Sequence, residues 1–285
     1  MKRLATLAAL YFLAIAIFAQ NLSGDTWEEA QANKKAKLTV TYFNLGKYVA
    51  VNENTGKLEG ICVEVFEDFV QYLKDEKGIA LTYEYVGDGA DFKKTYNSVK
   101  NGSGGVFGLG NFSITQDRKK EISFTDPYLN SFIILVTSSS VPQLTATDNI
   151  SEVLKGFKAY SLPGTVVEAE IERFKKEYLP DLEIVNVSSA EELTTRIAND
   201  PRSLTFIGMN LLLDSRDKQL RYHRSVQRGT SGVAFILPKD SDWTQPFNEF
   251  LSSDRGYAKS ERFKQVLVKH IGESGYRIMT SIRDN

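Results

Sequence analysis

Cysteine and histidine are nearly absent from this sequence of 285 residues. It contains one cysteine, Cys62, and two histidines, His223 and His270. A single cysteine excludes an intramolecular disulfide, and two widely separated histidines do not have the spacing of a metal site. Because Cys62 lies among apolar residues with no histidine nearby to activate it, we expect a buried small side chain there rather than a nucleophile.

The sequence also lacks an excess of charge of one sign and the common motifs of nucleotide-binding and serine enzymes. It has no Walker loop, no Gly-x-Ser-x-Gly pentapeptide and no internal repeat. Its 35 basic residues against 36 acidic residues give a net charge of −1, which argues against the broad positive field of a nucleic-acid or membrane surface. We therefore expect no cofactor and no nucleic-acid partner.

The first twenty residues resemble a targeting segment. Two basic residues, Lys2 and Arg3, precede an uncharged stretch that ends at the small residue Ala19. This order is typical of a secretory signal peptide, and the stretch is shorter than the roughly 20 residues that a membrane-spanning helix needs. The sequence therefore predicts a signal peptide at residues 1–20, with cleavage favoured over an uncleaved anchor.

The remaining segment of about 265 residues is long enough for two modest domains. Strand-like and helix-like patterns alternate along it, and this alternation predicts an α/β sheet. The predicted strands are residues 38–43, 79–85, 106–112, 132–137, 158–162, 184–187, 204–207 and 233–237. The predicted helices lie around residues 65–73, 92–99, 167–178, 193–197, 243–251 and 257–271.

The most informative segment is residues 110–128. Its strand ends in Ser113-Ile114-Thr115, and Arg118 follows three residues after the threonine. This spacing places hydroxyls, backbone N–H groups and a guanidinium at one strand-to-helix corner. Such a corner suits a carboxylate, because arginine offers a planar bidentate fork and a helix N-terminus offers unpaired donors. Taken alone, the charged run 117–121 favours a solvated helix face for Arg118 instead.

With Phe124-Thr125-Asp126-Pro127-Tyr128, this segment resembles the signature of the family 3 extracellular solute-binding proteins, the polar amino acid receptors of ABC transporters. Further matching segments extend the resemblance over nearly the whole mature chain. They are Gly56–Val65, Asp91–Val99, Ala234–Lys239 and Gly256–Gly272.

The resemblance implies an α/β, two-lobe periplasmic binding protein-like type II (Venus flytrap) fold with two hinge crossovers. The crossovers are expected near residues 128–132 and 229–231. The implied division is a signal peptide at 1–20, the first part of lobe 1 at 21–131, lobe 2 at 132–229 and the return segment of lobe 1 at 230–285. Periodicity alone does not predict this interrupted arrangement.

The resemblance also implies a ligand site between the lobes. Arg118 matches the residue that clamps the ligand carboxylate, and Ser113 matches a hydroxyl that bonds the same group. In lobe 2, Thr165 and Val166 fall on a turn whose N–H groups reach the carboxylate from the other side. Helix capping is the alternative role for Thr165, and both roles can hold at once.

Two phenylalanines complete the implied site. Phe92 matches an aromatic residue that packs on the ligand, although a phenylalanine at helical spacing is more often a core residue. Phe43 lies in the loop after the first strand, where the family supplies side-chain specificity.

Two positions depart from the family pattern. Asn111 stands where the family has a glycine whose carbonyl accepts from the ligand's α-ammonium group. The family's aspartate opposite that ammonium is missing from segment 208–211, where the uncharged Asn210 is the nearest candidate. Because losing a carboxylate opposite a desolvated cation is costly, a ligand without an ammonium group is a second option beside an amino acid.

The leading interpretation is a periplasmic, monomeric receptor that delivers an amino-acid-like carboxylate to the membrane permease of an ABC importer, without catalysis. One alternative is an enzyme on the same fold, similar to cyclohexadienyl dehydratase. That reading requires a general acid in the cleft, such as Glu64 or Asp91. The other alternative is a ligand-sensing module that signals through a partner.

Overall fold

The computed structural model describes residues 21–145, 149–208, 211, 212, 215, 218–252 and 256–280. The predicted signal peptide at 1–20 and the predicted site residue Asn210 lie outside these ranges. Within them, no helix combines the length and the apolar character that crossing a bilayer requires.

Strands and helices alternate along the chain, as the sequence predicts. The strands are β1 (Lys35–Tyr42), β2 (Ala50–Val51), β3 (Leu58–Glu59), β4 (Ala80–Val86), β5 (Val106–Ser113), β6 (Ile122–Phe124), β7 (Leu129–Ser138), β8 (Lys158–Ser161), β9 (Glu183–Asn186), β10 (Ser203–Gly208) and β11 (Leu220–Pro238). The helices are α1 (Trp27–Asn33), α2 (Ile61–Lys77), α3 (Phe92–Lys100), α4 (Gln116–Lys119), α5 (Ile150–Val153), α6 (Val166–Tyr178), α7 (Ala190–Asn199), α8 (Thr244–Ser252) and α9 (Glu261–Thr280).

Most of these strands join one continuous sheet in the order β4-β1-β5-β11-β7-β10-β8-β9, with β6 beside β11. The strands at one end of the sheet are parallel, since β1 pairs in parallel with both β4 and β5. The other end is also parallel, since β8 pairs with β9 and β10. The long strands β7 and β11 run antiparallel between the two ends and connect them. Both predicted lobe boundaries, 131/132 and 229/230, fall inside these two connecting strands.

The pairing of β7 with β11 is interrupted twice. The register shifts between His223 and Gln227 and again between Thr230 and Val233. Gly232 lies in the second irregularity with φ 85°, and a Cβ there would lie 2.5 Å from the Pro127 side chain. Only glycine fits this position without strain, because both the backbone angle and the close approach exclude a side chain.

Each end of the sheet has its own layer of packed aromatic and aliphatic residues. At the first end, helices α2 and α8 cover the sheet, and Phe69 packs on Phe247 with ring centroids 4.4 Å apart. This cluster continues past the connecting strands to residues of α7. At the second end, α6 covers the opposite face, where Phe174 meets Phe206 edge to face at 5.3 Å.

The last helix, α9, is fastened to α2 by a carboxylate that binds three basic side chains. Glu64 accepts hydrogen bonds from Arg262 at 3.0 Å, Lys269 at 2.8 Å and His270 at 2.6 Å. Burial raises the pKa of Glu64, but the hydrogen bonds from Lys269 and His270 outweigh it and hold the pKa below its ordinary value. The first half of α9 is thereby held against α2, which covers the first end of the sheet.

Candidate functional site

Arg118 reaches the end of β5 because of its spacing from Thr115. The Thr115 hydroxyl accepts from the backbone N–H of Arg118 at 3.2 Å and so caps the short helix α4. The Arg118 side chain then turns back, and its Nη1 donates to the carbonyl oxygen of Ser113 at 3.0 Å. A threonine cap three residues before an arginine thus fixes the guanidinium at a strand end.

Aromatic rings form one side of this corner. The guanidinium carbon of Arg118 lies 5.2 Å from the ring centroid of Phe92 and 5.9 Å from that of Tyr96, within the range of cation–π attraction. Phe43 meets Phe92 edge to face with centroids 5.6 Å apart. The structure therefore brings together Arg118, Phe92 and Phe43, three residues that the sequence assigns to the site.

The guanidinium also crosses to the second end of the sheet. Its Nη2 donates to the carbonyl oxygen of Gly164 at 3.4 Å. Gly164 lies in the turn between β8 and α6 and has a φ of 76°, a backbone angle that favours glycine. The contact places the turn before α6 opposite Arg118.

The turn before α6 is held by its own side chains. The Thr165 hydroxyl accepts from Val167 N–H at 3.2 Å and donates to the Leu162 carbonyl at 2.7 Å, so the capping role of Thr165 is observed. Val166 is the first helical residue and is half-buried. Because α6 has 13 residues, its N-terminus carries a partial positive charge that favours an anion.

Arg118 has no acidic partner in the described part of the chain. Its polar contacts are the two carbonyl oxygens of Ser113 and Gly164, and no described carboxylate lies within 4.0 Å of its nitrogens. Burial lowers the pKa of Arg118, but an arginine stays protonated in proteins. A half-buried cation that contacts only carbonyls and rings is suited to take up an anion.

The acidic side chain beside Tyr96 is already engaged. Tyr96 donates to Glu121 at 3.0 Å, and Glu121 pairs with Lys100 at 2.8 Å. Burial, together with the bond to Glu121, raises the pKa of Tyr96 to about 12, so the phenol stays protonated. Glu121 is thus directed to Tyr96 and Lys100 rather than to Arg118.

The other predicted residues lie around this corner. Asn111 and Ser113 are half-buried neighbours on β5, and Ser113 contacts Arg118 through its carbonyl. Asn210 lies outside the described residues. The two acids considered for an enzyme are engaged elsewhere, since Glu64 binds α9 and Asp91 caps α3 by accepting from Lys94 N–H at 2.6 Å. Among the residues with described positions, no cluster of His, Cys, Asp or Glu suits a metal ion.

Sequence reasoning missed one polar residue at this corner. Glu168 accepts from the backbone N–H of Gly164 at 2.8 Å, next to the carbonyl that Arg118 contacts. A signal was present, because Thr165 and Glu168 have the spacing of a capping box. The carboxylate reaches Gly164 rather than the N-cap residue Thr165, so it binds the turn itself.

Comparison with known proteins identifies the family and the fold. The family profile of the bacterial extracellular solute-binding proteins, family 3, matches residues 44–272. No curated protein matches the chain in sequence. Solved structures do match, and they confirm the predicted two-lobe α/β fold of periplasmic binding proteins.

Three of these structures illustrate the likeness. A mutant of ArgBP from T. maritima has 17% identity, a TM-score of 0.61 and coverage of 86% of this chain and 99% of that chain. A Salmonella typhimurium periplasmic binding protein with high arginine specificity has 16% identity, a TM-score of 0.58 and coverage of 82% and 99%. A Wolinella succinogenes protein complexed with lysine has 10% identity, a TM-score of 0.64 and coverage of 85% and 98%. At these identities the likeness shows the fold alone.

Proposed function

Because this chain belongs to the bacterial extracellular solute-binding proteins of family 3, we propose that it is a periplasmic receptor of an ABC-type importer. It binds an amino acid or a related small carboxylate between two lobes. Lobe 1 consists of residues 21–131 and 230–285, lobe 2 of residues 132–229, and residues 1–20 are a cleaved signal peptide. The receptor acts as a monomer, needs no cofactor and delivers its ligand to a membrane permease.

One observation carries this proposal. The guanidinium of Arg118 is half-buried against Phe92 and faces Gly164 of lobe 2, with no acidic partner in the described chain. A desolvated cation of this kind gains most from a carboxylate that it can bind with two parallel hydrogen bonds. The N-terminus of α6 follows Gly164 directly in sequence, and we expect its N–H groups that capping leaves unused to add donors from lobe 2.

Closure follows from this arrangement. A carboxylate that accepts from Arg118 and from the turn at Thr165 contacts both lobes at once. Such a ligand favours the closed arrangement by no more than the difference between its affinities for the closed and open forms. The antiparallel strands β7 and β11 connect the lobes, and their register shifts are where we expect bending.

The similar structures guide the choice of probe. They are described as arginine-binding or as complexed with lysine, and both compounds carry an α-carboxylate. We therefore expect L-arginine or L-lysine to raise the midpoint of thermal unfolding. A ligand present at a hundred times its Kd stabilises the folded state by about 2.7 kcal/mol. Agmatine, which is arginine without its carboxylate, should not raise the midpoint, whereas 5-guanidinovalerate, which lacks only the α-amino group, should.

The matched variants are R118A and R202A. Arg202 also donates from Nη2 to a backbone carbonyl, that of Lys155 at 2.9 Å, and also stacks on a phenylalanine, Phe157, at 5.7 Å. It is exposed on lobe 2. R118A should abolish the shift and R202A should keep it. An equal shift in R118A, or an equal shift with agmatine, contradicts the proposal, and turnover of prephenate supports the enzyme alternative instead.

A further inference from the structure

Gly164 is held between two charged side chains that come from different lobes. Its N–H donates to Glu168 of lobe 2 at 2.8 Å, and its carbonyl accepts from Arg118 of lobe 1 at 3.4 Å. The acid Glu168 therefore binds the N–H group of this residue, and the base Arg118 binds its carbonyl group. The acid and the base lie at most about 10 Å apart, since a single residue spans no more than about 3.6 Å.

Side-chain packing does not fix the position of Gly164. The residue is exposed, and a Cβ built on it would meet no atom within 4 Å. Its conformation depends instead on hydrogen bonds, and its φ of 76° is one that an unconstrained glycine leaves easily. Among the side chains of lobe 2 that bind this turn, Glu168 is the one that hydrogen-bonds to Gly164 itself.

We propose that Glu168 is a positioning residue for closure of the two lobes. Its carboxylate fixes the N–H of Gly164, and the carbonyl of the same residue is thereby aimed at Arg118. Loss of Glu168 frees the turn, so that Arg118 loses its lobe 2 acceptor and the closed arrangement becomes less populated. This inference rests on the proposed hinge closure, but its test needs no ligand.

The alternative role for Glu168 is simple capping of α6. Glu192 provides a matched control, because it accepts from Ser188 N–H at 2.9 Å with the same spacing of four residues. It lies in the first turn of α7, and its other bonds go to the Ser188 hydroxyl and to Arg196. If Glu168 only caps its helix, then E168A and E192A should both lower thermal stability and leave the distance between the lobes unchanged.

The experiment measures that distance by double electron–electron resonance. Spin labels are placed at Lys93 on α3 and Glu172 on α6, which are both exposed, by the substitutions K93C and E172C. The native Cys62 is fully buried and its pKa is raised to about 12, so it does not compete for the label. The protein is unfolded and refolded first to remove any retained small molecule.

The unsubstituted receptor should show a population at short distance. E168A and R118A should each lower the ratio of short to long distances about tenfold, the effect of losing one charge-assisted hydrogen bond. E168Q should retain most of the short population, because its amide oxygen still accepts from Gly164. E192A should retain all of it, and the double variant R118A/E168A should open no further than either single variant.

Three results would overturn the inference. These are equal distances in E168A and E192A, opening of E168Q to the extent of E168A, and absence of the short population from the unsubstituted receptor. The result is separable from the proposed function. If the variants change the distance between the lobes as predicted but no amino acid binds, the proposed function fails and this inference stands. If Arg118 binds a carboxylate but E168A does not change the distance, this inference fails and the proposed function stands.

Discussion

His223 is buried in the pairing of β7 with β11 and is held there in its neutral form. Leu144 N–H donates to its Nδ1 at 3.1 Å, so that nitrogen carries no proton. Its Nε2 lies 2.8 Å from the hydroxyl of Thr137, which itself donates to the Ser138 carbonyl. The proton therefore lies on Nε2, and a second proton on Nδ1 would displace the Leu144 N–H group.

Burial, with a smaller effect from the charge of Arg221, lowers the pKa of His223 from 6.5 to about 4. The folded protein therefore binds this proton less readily than the unfolded chain, and stability is fully present above pH 6.5. It is lost as the pH falls from 6.5 towards 4. The side chain is 0% exposed, so solvent does not screen this effect. At about 1.4 kcal/mol per pKa unit, the free energy of unfolding should fall by about 2 kcal/mol between pH 7.5 and pH 5.

Urea unfolding at a series of pH values tests this magnitude. H223N removes the titrating ring but keeps an oxygen that can accept from Leu144, so the difference in unfolding free energy between wild type and H223N isolates the histidine. That difference should change by about 2 kcal/mol over the range, in favour of the variant at low pH. T137V, which keeps the ring buried, should retain the pH dependence. A difference that stays constant from pH 7.5 to pH 5 would refute the reasoning.

Three further predictions concern stability and reactivity. E64Q should lower the free energy of unfolding by about 2 kcal/mol in urea titrations, because it removes the charged acceptor of Lys269 and His270, although Arg262 keeps Asp68. E84Q should cost under about 1 kcal/mol, since its pair with Lys37 is exposed. Equal losses would contradict this. Cys62, with a pKa of about 12, should react with iodoacetamide only after unfolding, as mass spectrometry can show; rapid labelling of the folded protein would argue against burial. G232A should destabilise the protein by about 2 kcal/mol or more in thermal unfolding, because φ is 85° and the Leu129 carbonyl lies 2.8 Å from the added carbon; an unchanged midpoint would contradict this.

The sequence predicts most of the strands and helices of the main sheet and its covering layers, but it misses the short strands β2, β3 and β6. It predicts the long connecting strand poorly. The prediction covers residues 233–237, whereas β11 extends from Leu220 to Pro238. The missed part contains His223, Arg224 and Arg228 among other polar residues, so it shows no apolar alternation. It is a strand because β7 supplies backbone partners, and such tertiary pairing overrides local preference.

Helix α2 shows the opposite problem. It begins at Ile61, four residues before the predicted start, and Ile61, Cys62 and Val63 are all buried. A run of consecutive apolar residues shows no helical periodicity, so its secondary structure cannot be predicted from the pattern. Its start is set by Gly60 with φ 128°, where a Cβ would lie 2.4 Å from the Tyr48 carbonyl. Contacts of this kind come from the fold and leave no local pattern.

The candidate site also has a part that local sequence predicts and a part that only the fold determines. The residues that share a local motif, Ser113 and Arg118, were predictable because their spacing along the chain fixes their geometry. The contact between Arg118 and Gly164 depends on how β7 and β11 hold the two lobes relative to each other. It was expected only from the resemblance. Glu168 was missed because a capping-box spacing usually indicates a helix start and gives no sign of what lies across from it.

The proposed function depends on Arg118 holding an acid group between the lobes. The most direct measurement is a crystal structure of the protein with whichever acid raises the thermal midpoint most. We predict two carboxylate oxygens of that compound at about 2.7–2.9 Å from the Arg118 guanidinium, with lobe 2 N–H groups of the turn at Thr165 as further donors. A guanidinium that points into bulk solvent, with the bound compound elsewhere, would contradict the account.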